Sequence, residues 1–275
     1  MDQLNKNIKE KGFNFGKNWG LFLKVLNEDR IVEAEKSLKQ MLEADKLNNK
    51  SFLDVGSGSG LFSLAARRLG AKVHSFDFNQ ASVACTTELK NRYFPNDRDW
   101  EIGKGSILDT DYIKSLGTFD IVYSWGVLHH TGNMWQALEN IQLPVTLSGK
   151  LFLAIYNDQG NTSRHWLIIK KIYNRLPGTA KLLVVYPVFI RLWGPTMLKD
   201  LLKGKPFYSW SSYKKNRGMS PWRDVVDWVG GYPFEVARPE EIFEFYKKKG
   251  FLLTKLKTCG GGLGNNEFVF HKTKQ

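Results

Sequence analysis

The stretch LDVGSGSGLF, residues 53–62, constrains this chain more than any other ten residues. Ser51-Phe52-Leu53-Asp54-Val55 reads as a short, mostly apolar strand that runs straight into Gly56-Ser57-Gly58-Ser59-Gly60. Residues Ser59–Leu69 then read as a helix, with Gly70 placed as its C-terminal cap. Glycines let a backbone approach a ligand closely, and a helix N-terminus offers unpaired N–H groups. A strand, a glycine turn and a helix in that order belong to an α/β fold in which strands feed helices packed on a sheet.

The dinucleotide-binding fingerprint has the spacing GxGxxG after a strand. Here the spacing is GxGxG, and Leu61 stands where a third fingerprint glycine should fall. Asp54 lies two residues before the first glycine, where a carboxylate would repel a pyrophosphate. It suits a cationic ligand instead.

The rest of the chain keeps the same rhythm. Residues 1–49 read as an N-terminal helical segment, with apolar positions from Ile31 to Leu47 at helical spacing. Further strands follow at Ala71–Phe76, Trp100–Gly103, Thr118–Ser124 and Lys150–Tyr156, with helices at Ala81–Arg92 and Met134–Ile141. The rhythm breaks over residues 157–235 and resumes with the helix Glu240–Lys249, started by Arg238-Pro239-Glu240-Glu241. Strands Phe251–Leu256 and Glu267–His271, joined by CGGGLGNN, are close enough for antiparallel pairing. The expectation is a doubly wound, Rossmann-like sheet of seven strands. Its core is residues 50–156, completed by 236–275, with one large insertion at 157–235 after strand five.

The pattern D-x-G-x-G-x-G, with Asp77 at the end of strand two, resembles motif I of the class I S-adenosylmethionine (SAM) methyltransferases. The resemblance implies SAM as cofactor, with Gly56, Ser57, Gly58 and Gly60 against its amino-acid and ribose portions. Asp77 would hold the ribose hydroxyls and Phe78 would pack on the adenine. Ser106 and Ile107 of GSILD would also touch the adenine. Ser124 and Trp125 of YSWGVLHH would lie near the methionine moiety. The nearest subfamily resemblance is to the O-methyltransferases of ubiquinone biosynthesis, through Leu26-Asn27-Glu28-Asp29-Arg30-Ile31. It gives Arg30 two readings, a partner of the SAM carboxylate or a solvated charge at a helix start. It assigns Phe15, Lys17 and Trp19 of FGKNW to part of a lid.

Strand four ends in Tyr123-Ser124-Trp125-Gly126, without the proline pair of amino methyltransferases acting on adenine or glutamine. Cytosine C5 chemistry needs a nucleophilic cysteine near the cofactor, and neither Cys85 nor Cys259 is so placed. The two cysteines fit a reducing compartment, and with no apolar leader in MDQLNKNIKEKG a cytoplasmic location is expected. Methylating a hydroxyl requires removal of a proton, and His129 and His130 directly follow strand four. Histidine suits that task at neutral pH, with His130 slightly favoured; the other reading is that the pair holds the loop. No spacing suggests a metal site.

The net charge is +13, but residues 50–160 hold ten basic and eleven acidic residues. Residues 161–220 hold twelve basic residues and one acid. The insertion therefore carries the excess, together with five of the nine tryptophans. In the fold it resembles, this segment covers the acceptor. Trp166, Trp222, Asp224 and Trp228 are candidate substrate residues, although Asp224 and Asp227 could instead pair with Arg217 or Arg223. Basic, aromatic, amphipathic helices also suit peripheral contact with an anionic membrane. The apolar run Leu182–Trp193 contains Pro187 and Arg191 and is shorter than the ~18 residues of a spanning helix. The expected function is O-methylation of a small-molecule, sugar or lipid-linked acceptor. The alternative is an RNA-modifying methyltransferase using the basic insertion.

Overall fold

The computed structural model describes residues 19–20, 22–217 and 221–273. Phe15, Lys17 and most of the N-terminal segment lie outside them, as does the side chain of Arg217. The chain forms two compact units. Among the described residues, one comprises 19–159 and 235–273, and the other comprises 160–234.

The larger unit is an α/β sheet. Its elements are α1 (Glu28–Leu42), β1 (Ser51–Val55), α2 (Leu61–Arg68), β2 (Lys72–Asp77), α3 (Gln80–Tyr93) and β3 (Trp100–Lys104). They continue as α4 (Thr110–Ser115), β4 (Phe119–Trp125), a short 3₁₀ turn (Leu128–His130), α5 (Met134–Ile141) and β5 (Val145–Tyr156). Seven strands pair in the order β3-β2-β1-β4-β5-β7-β6, where β6 is Phe251–Lys257 and β7 is Asn265–Lys272. Neighbours from β3 to β5 run parallel, and β7 runs antiparallel to both β5 and β6.

Burial follows the two-residue period of a strand covered on both faces. Phe52 of β1 points into a core with Ile31, Leu38, Leu64 and Leu89. Its neighbour Leu53 points into the opposite core, with Leu138, Ile141, Ile242 and Tyr246. The last two lie on or next to α10 (Pro239–Lys247), which lets the returning chain close the second face. Each such side chain contributes about 1.5–3 kcal/mol when removed from water.

Local chemistry sets the helix boundaries. The first helix starts at Glu28, not Ile31, because the Asn27 side chain accepts the Arg30 N–H at 3.2 Å. It ends at Leu42, short of the expected Leu47, because Glu43 takes a left-handed φ of 51°. The sequence reading omitted α4, which Asp109 caps through the Tyr112 N–H.

The smaller unit is helical: α6 (Asn161–Arg175), α7 (Leu182–Leu202), α8 (Tyr208–Arg217) and α9 (Pro221–Gly230). The apolar run is not confined to residues 182–193. It continues through Pro195, and the helical stretch Gly178–Leu202 is long and apolar enough to cross a membrane, with a mean hydropathy of 1.2.

Candidate active site

The glycine loop is stitched to the end of β2. The N–H groups of Gly56 and Ser57 both donate to the Phe76 carbonyl, at 2.9 and 3.1 Å. Gly60 has a φ of +80°, and a Cβ there would lie 2.9 Å from the Thr86 backbone. Only glycine allows α2 to begin that close to α3. A Cβ on Gly58 would meet the Trp19 indole at 3.0 Å, so Trp19 lies directly against the loop.

Asp77 organises the loop's other side. Its Oδ2 accepts the Gly58 N–H at 3.0 Å and its Oδ1 accepts the Asn79 N–H at 2.7 Å. Burial pushes its carboxyl above the usual range, and these two N–H groups with the Ser82 side chain counteract that. An ionised carboxylate has about four acceptor positions, so capacity remains for one further hydroxyl donor. Phe78, the next residue, is 53% exposed and presents an aromatic face. Asn79 caps α3 through the Ala81 N–H at 2.8 Å, and Ser57 Oγ lies 3.0 Å from Thr86 Oγ1. Asn79, Ser82 and Thr86 were not singled out in the sequence. An Asn three residues after Phe76 at the start of a helix was the available signal.

Other expected contacts are arranged differently. Asp54 is only 2% exposed, and its Oδ2 accepts the Ser63 hydroxyl at 2.5 Å. Ser63 Oγ lies 2.7 Å from Ser75 Oγ, which in turn accepts the Trp100 indole N–H at 2.9 Å. Burial pushes the Asp54 carboxyl up to about 7, against the Ser63 hydrogen bond. This carboxylate serves an internal network under the loop. Ile107 is buried in the core, and its carbonyl accepts from Asn140 Nδ2 at 2.8 Å. Ser106 Oγ accepts the Leu108 N–H at 3.2 Å. Ser124 is buried and donates to the Val55 carbonyl at 3.0 Å, which ties β4 to β1. Trp125, one residue on, is exposed. Arg30 Nη1 donates to the Val25 carbonyl at 3.0 Å, at the start of α1.

The two histidines differ. His129 is fully buried, its Nδ1 accepts the Tyr156 N–H at 3.2 Å, and its ring lies 3.8 Å from the Tyr156 ring centroid. With Nδ1 as acceptor, the neutral ring carries its proton on Nε2. Burial pushes the Tyr156 hydroxyl up to about 12, so it stays protonated beside the pair. The His129 carbonyl accepts the Glu235 N–H at 3.0 Å, and the Glu235 carboxylate accepts the Met134 N–H at the start of α5. His130 is half-buried, with its ring edge-on to both His129 and Tyr156.

The candidate substrate residues of the insertion are largely spent on its own packing. Trp166 is buried edge-on to Trp228, at 5.3 Å. Trp222 packs on Tyr186 and Phe189. Asp224 accepts the Tyr213 hydroxyl. Trp166 and Trp228 are thus part of the interior of the helical unit.

A family model described as the methyltransferase domain matches residues 26–181, more than half of the chain. The chain belongs to this family. Among its relatives, the ribosomal protein L11 methyltransferase of Limosilactobacillus reuteri subsp. reuteri (strain JCM 1112) is 37% identical over 78 residues. That match covers 28% of this chain and 24% of the relative. The enzyme of the same name from Prochlorococcus marinus (strain MIT 9515) is 38% identical over 84 residues, 30% of this chain and 27% of the relative. The chain spans only about a quarter to a third of the curated relatives it matches. Among solved structures, magnesium protoporphyrin IX methyltransferase from Synechocystis PCC 6803, with bound SAH, has a TM-score of 0.55 at 12% identity. The superposition covers 93% of this chain and 94% of that one. PKMT2 from Rickettsia typhi has a TM-score of 0.56 at 13% identity, over 83% of this chain and 50% of that one. At these identities the likeness concerns the fold.

Proposed function

We propose that this methyltransferase uses SAM to methylate an oxygen of a small-molecule, sugar or lipid-linked acceptor. Asp77 carries the reading. One carboxylate oxygen fixes the glycine loop through Gly58, the other fixes the start of α3 through Asn79, Ser82 takes a third acceptor position, and the one that remains suits a hydroxyl of a ribose. Phe78 offers the adjoining face for a purine. The loop of Gly56, Ser57 and Gly58 supplies close backbone contact to the amino-acid portion, with Trp19 against it. Bound against these residues, SAM would supply an electrophilic methyl group to the acceptor oxygen.

In this reading His130 takes the acceptor's hydroxyl proton. His129 is its positioning neighbour, because the Tyr156 N–H already occupies its Nδ1. The segment Leu26–Ile31 supports the narrower ubiquinone-biosynthesis-type assignment, with Arg30 toward the cofactor carboxylate. The Val25 carbonyl uses one of the five N–H donors of the guanidinium.

Calorimetry of SAM binding to wild type and Asp77→Ala tests the cofactor reading, and unchanged affinity would sink it. The acceptor reading is tested by incubating the protein and methyl-labelled SAM with a metabolite extract, with and without nuclease. Label in a small molecule, insensitive to nuclease and lost in His130→Ala, supports it. Label that disappears with nuclease supports the RNA-modifying alternative, which the charge of the insertion favours.

A further inference from the structure

We propose that the outer face of α7 is a docking surface for an anionic lipid bilayer. The inference concerns the helical insertion alone and does not depend on the identity of the acceptor.

Leu183, Ile190, Leu198 and Leu201 are 76%, 64%, 58% and 62% exposed. Their spacing of seven, eight and three residues puts them on one line along the helix. The opposite side of α7 is already packed: Val185 and Val188 are buried, Phe189 meets Trp222 of α9, and Trp193 meets Trp210 of α8. The helix thus has two apolar faces, one serving its own unit and one facing outward for about five turns. Leu202, the last residue of the helix, and Phe207 beyond it are also exposed, at 80% and 63%.

Charge complementarity indicates what covers this face. Residues 161–220 contain twelve basic residues and a single acid, Asp200. Asp200 is buried and spent, since its carboxylate accepts the N–H and hydroxyl of Ser209 at 2.7 and 2.8 Å. Arg191, Lys199, Lys203 and Lys205 are exposed along and just beyond the helix. An outward row of leucine and isoleucine, on a helix whose only acid is buried and whose exposed charges are cations, matches acyl chains beneath anionic headgroups. A nucleic acid would use the cations and leave the apolar row in water. The stretch is long enough to span a bilayer, but its inner face is held by α8 and α9 and Arg191 sits mid-helix. It therefore lies in the interface plane.

The test is sedimentation of the whole protein with vesicles of phosphatidylcholine, with and without phosphatidylglycerol, at low and high salt. Binding to the anionic vesicles at least about tenfold above the neutral ones, weakened by salt, is the expected result. Ile190→Glu with Leu198→Glu should abolish it while the melting temperature and SAM affinity stay unchanged. Lys199→Glu with Lys203→Glu should remove only the anionic preference. Several outcomes overturn the proposal. They are no binding to anionic vesicles at low salt, undiminished binding by the leucine–isoleucine variant, retention after carbonate extraction, which means spanning, or a wild-type dimer that this variant dissociates, which means that a second copy covers the face.

Discussion

Gly58 and Asp77, nineteen residues apart, are joined by a 3.0 Å hydrogen bond from the loop N–H to the carboxylate. The residue proposed to hold the cofactor's ribose therefore also shapes the loop that receives it. Asp77→Asn keeps an oxygen for one N–H but presents an amide donor to the others. Asp77→Ala removes all of them. Hydrogen bonds to a charged group are worth about 1.5–3 kcal/mol each, so the alanine variant should lose about a hundredfold or more in SAM affinity. Calorimetry should rank wild type, Asn and Ala in that order, with thermal stability falling in step.

Gly60 and Gly117 provide a matched pair. Both have positive φ, 80° and 78°, but a Cβ on Gly60 would lie 2.9 Å from the Thr86 backbone whereas one on Gly117 meets nothing within 4 Å. Gly117→Ala should cost only the backbone strain, about 1 kcal/mol. Gly60→Ala should cost about 2–4 kcal/mol, because α2 and α3 must also separate. Urea unfolding of the two variants measures the difference.

Asp54 should make stability depend on pH. Its carboxyl is raised to about 7 in the fold, above its unfolded value, so the neutral form is favoured. The stabilisation is complete below about pH 4 and is lost as pH rises to about 7. Asp54→Asn keeps an acceptor for Ser63 and does not titrate. Relative to that variant, wild type should lose up to about 4 kcal/mol between those pH values. Chemical denaturation at a series of pH values reads the difference, and a flat one would falsify the assignment.

Lys170 should act in the opposite direction. It is fully buried in the helical unit, 4.2 Å from the Trp228 ring and 4.8 Å from Phe234, and its amine donates to the Trp228 carbonyl. Burial lowers its amine to about 7. The unfolded chain therefore binds the extra proton between pH 7 and about 10, and stability rises with pH across that window. The advantage of Lys170→Met over wild type should be largest below pH 7. It should shrink by about 4 kcal/mol by pH 10, as measured by denaturant unfolding.

His130→Ala should reduce kcat by a factor of about 10²–10⁴ if His130 is the base, with SAM affinity unchanged. His129→Ala should instead disturb the Tyr156 packing and lower the melting temperature. Parallel steady-state and melting measurements separate the two roles.

The alternation of apolar strands with capped helices made the sheet legible, because both depend on local spacing. The break at residue 157 lies close to Gly160, where the helical unit begins. Asp77 was legible from its place at the end of a strand, but its helpers Asn79, Ser82 and Thr86 were not, since their relevance depends on how α3 is turned. Asp54 misled for a related reason: spacing places a carboxylate near the loop without saying which side it faces. In the insertion, a cluster of tryptophans has one composition whether it lines a pocket or fills a core. Trp166 and Trp228 do the second, and Lys170 shares their buried face, where a basic residue was not foreseen.

Strand β7 is the last of the seven in the chain, yet it lies between β5 and β6 and bonds to both. During synthesis on a ribosome, β5 waits without its neighbour while more than a hundred residues emerge, including the whole helical unit. Until residues 265–272 appear, the edge of β5 and the apolar side chains that Phe268 and Phe270 later cover are open to other chains. A stall or truncation before Asn265 would therefore remove an interior strand, not a tail, and leave a sticky nascent chain.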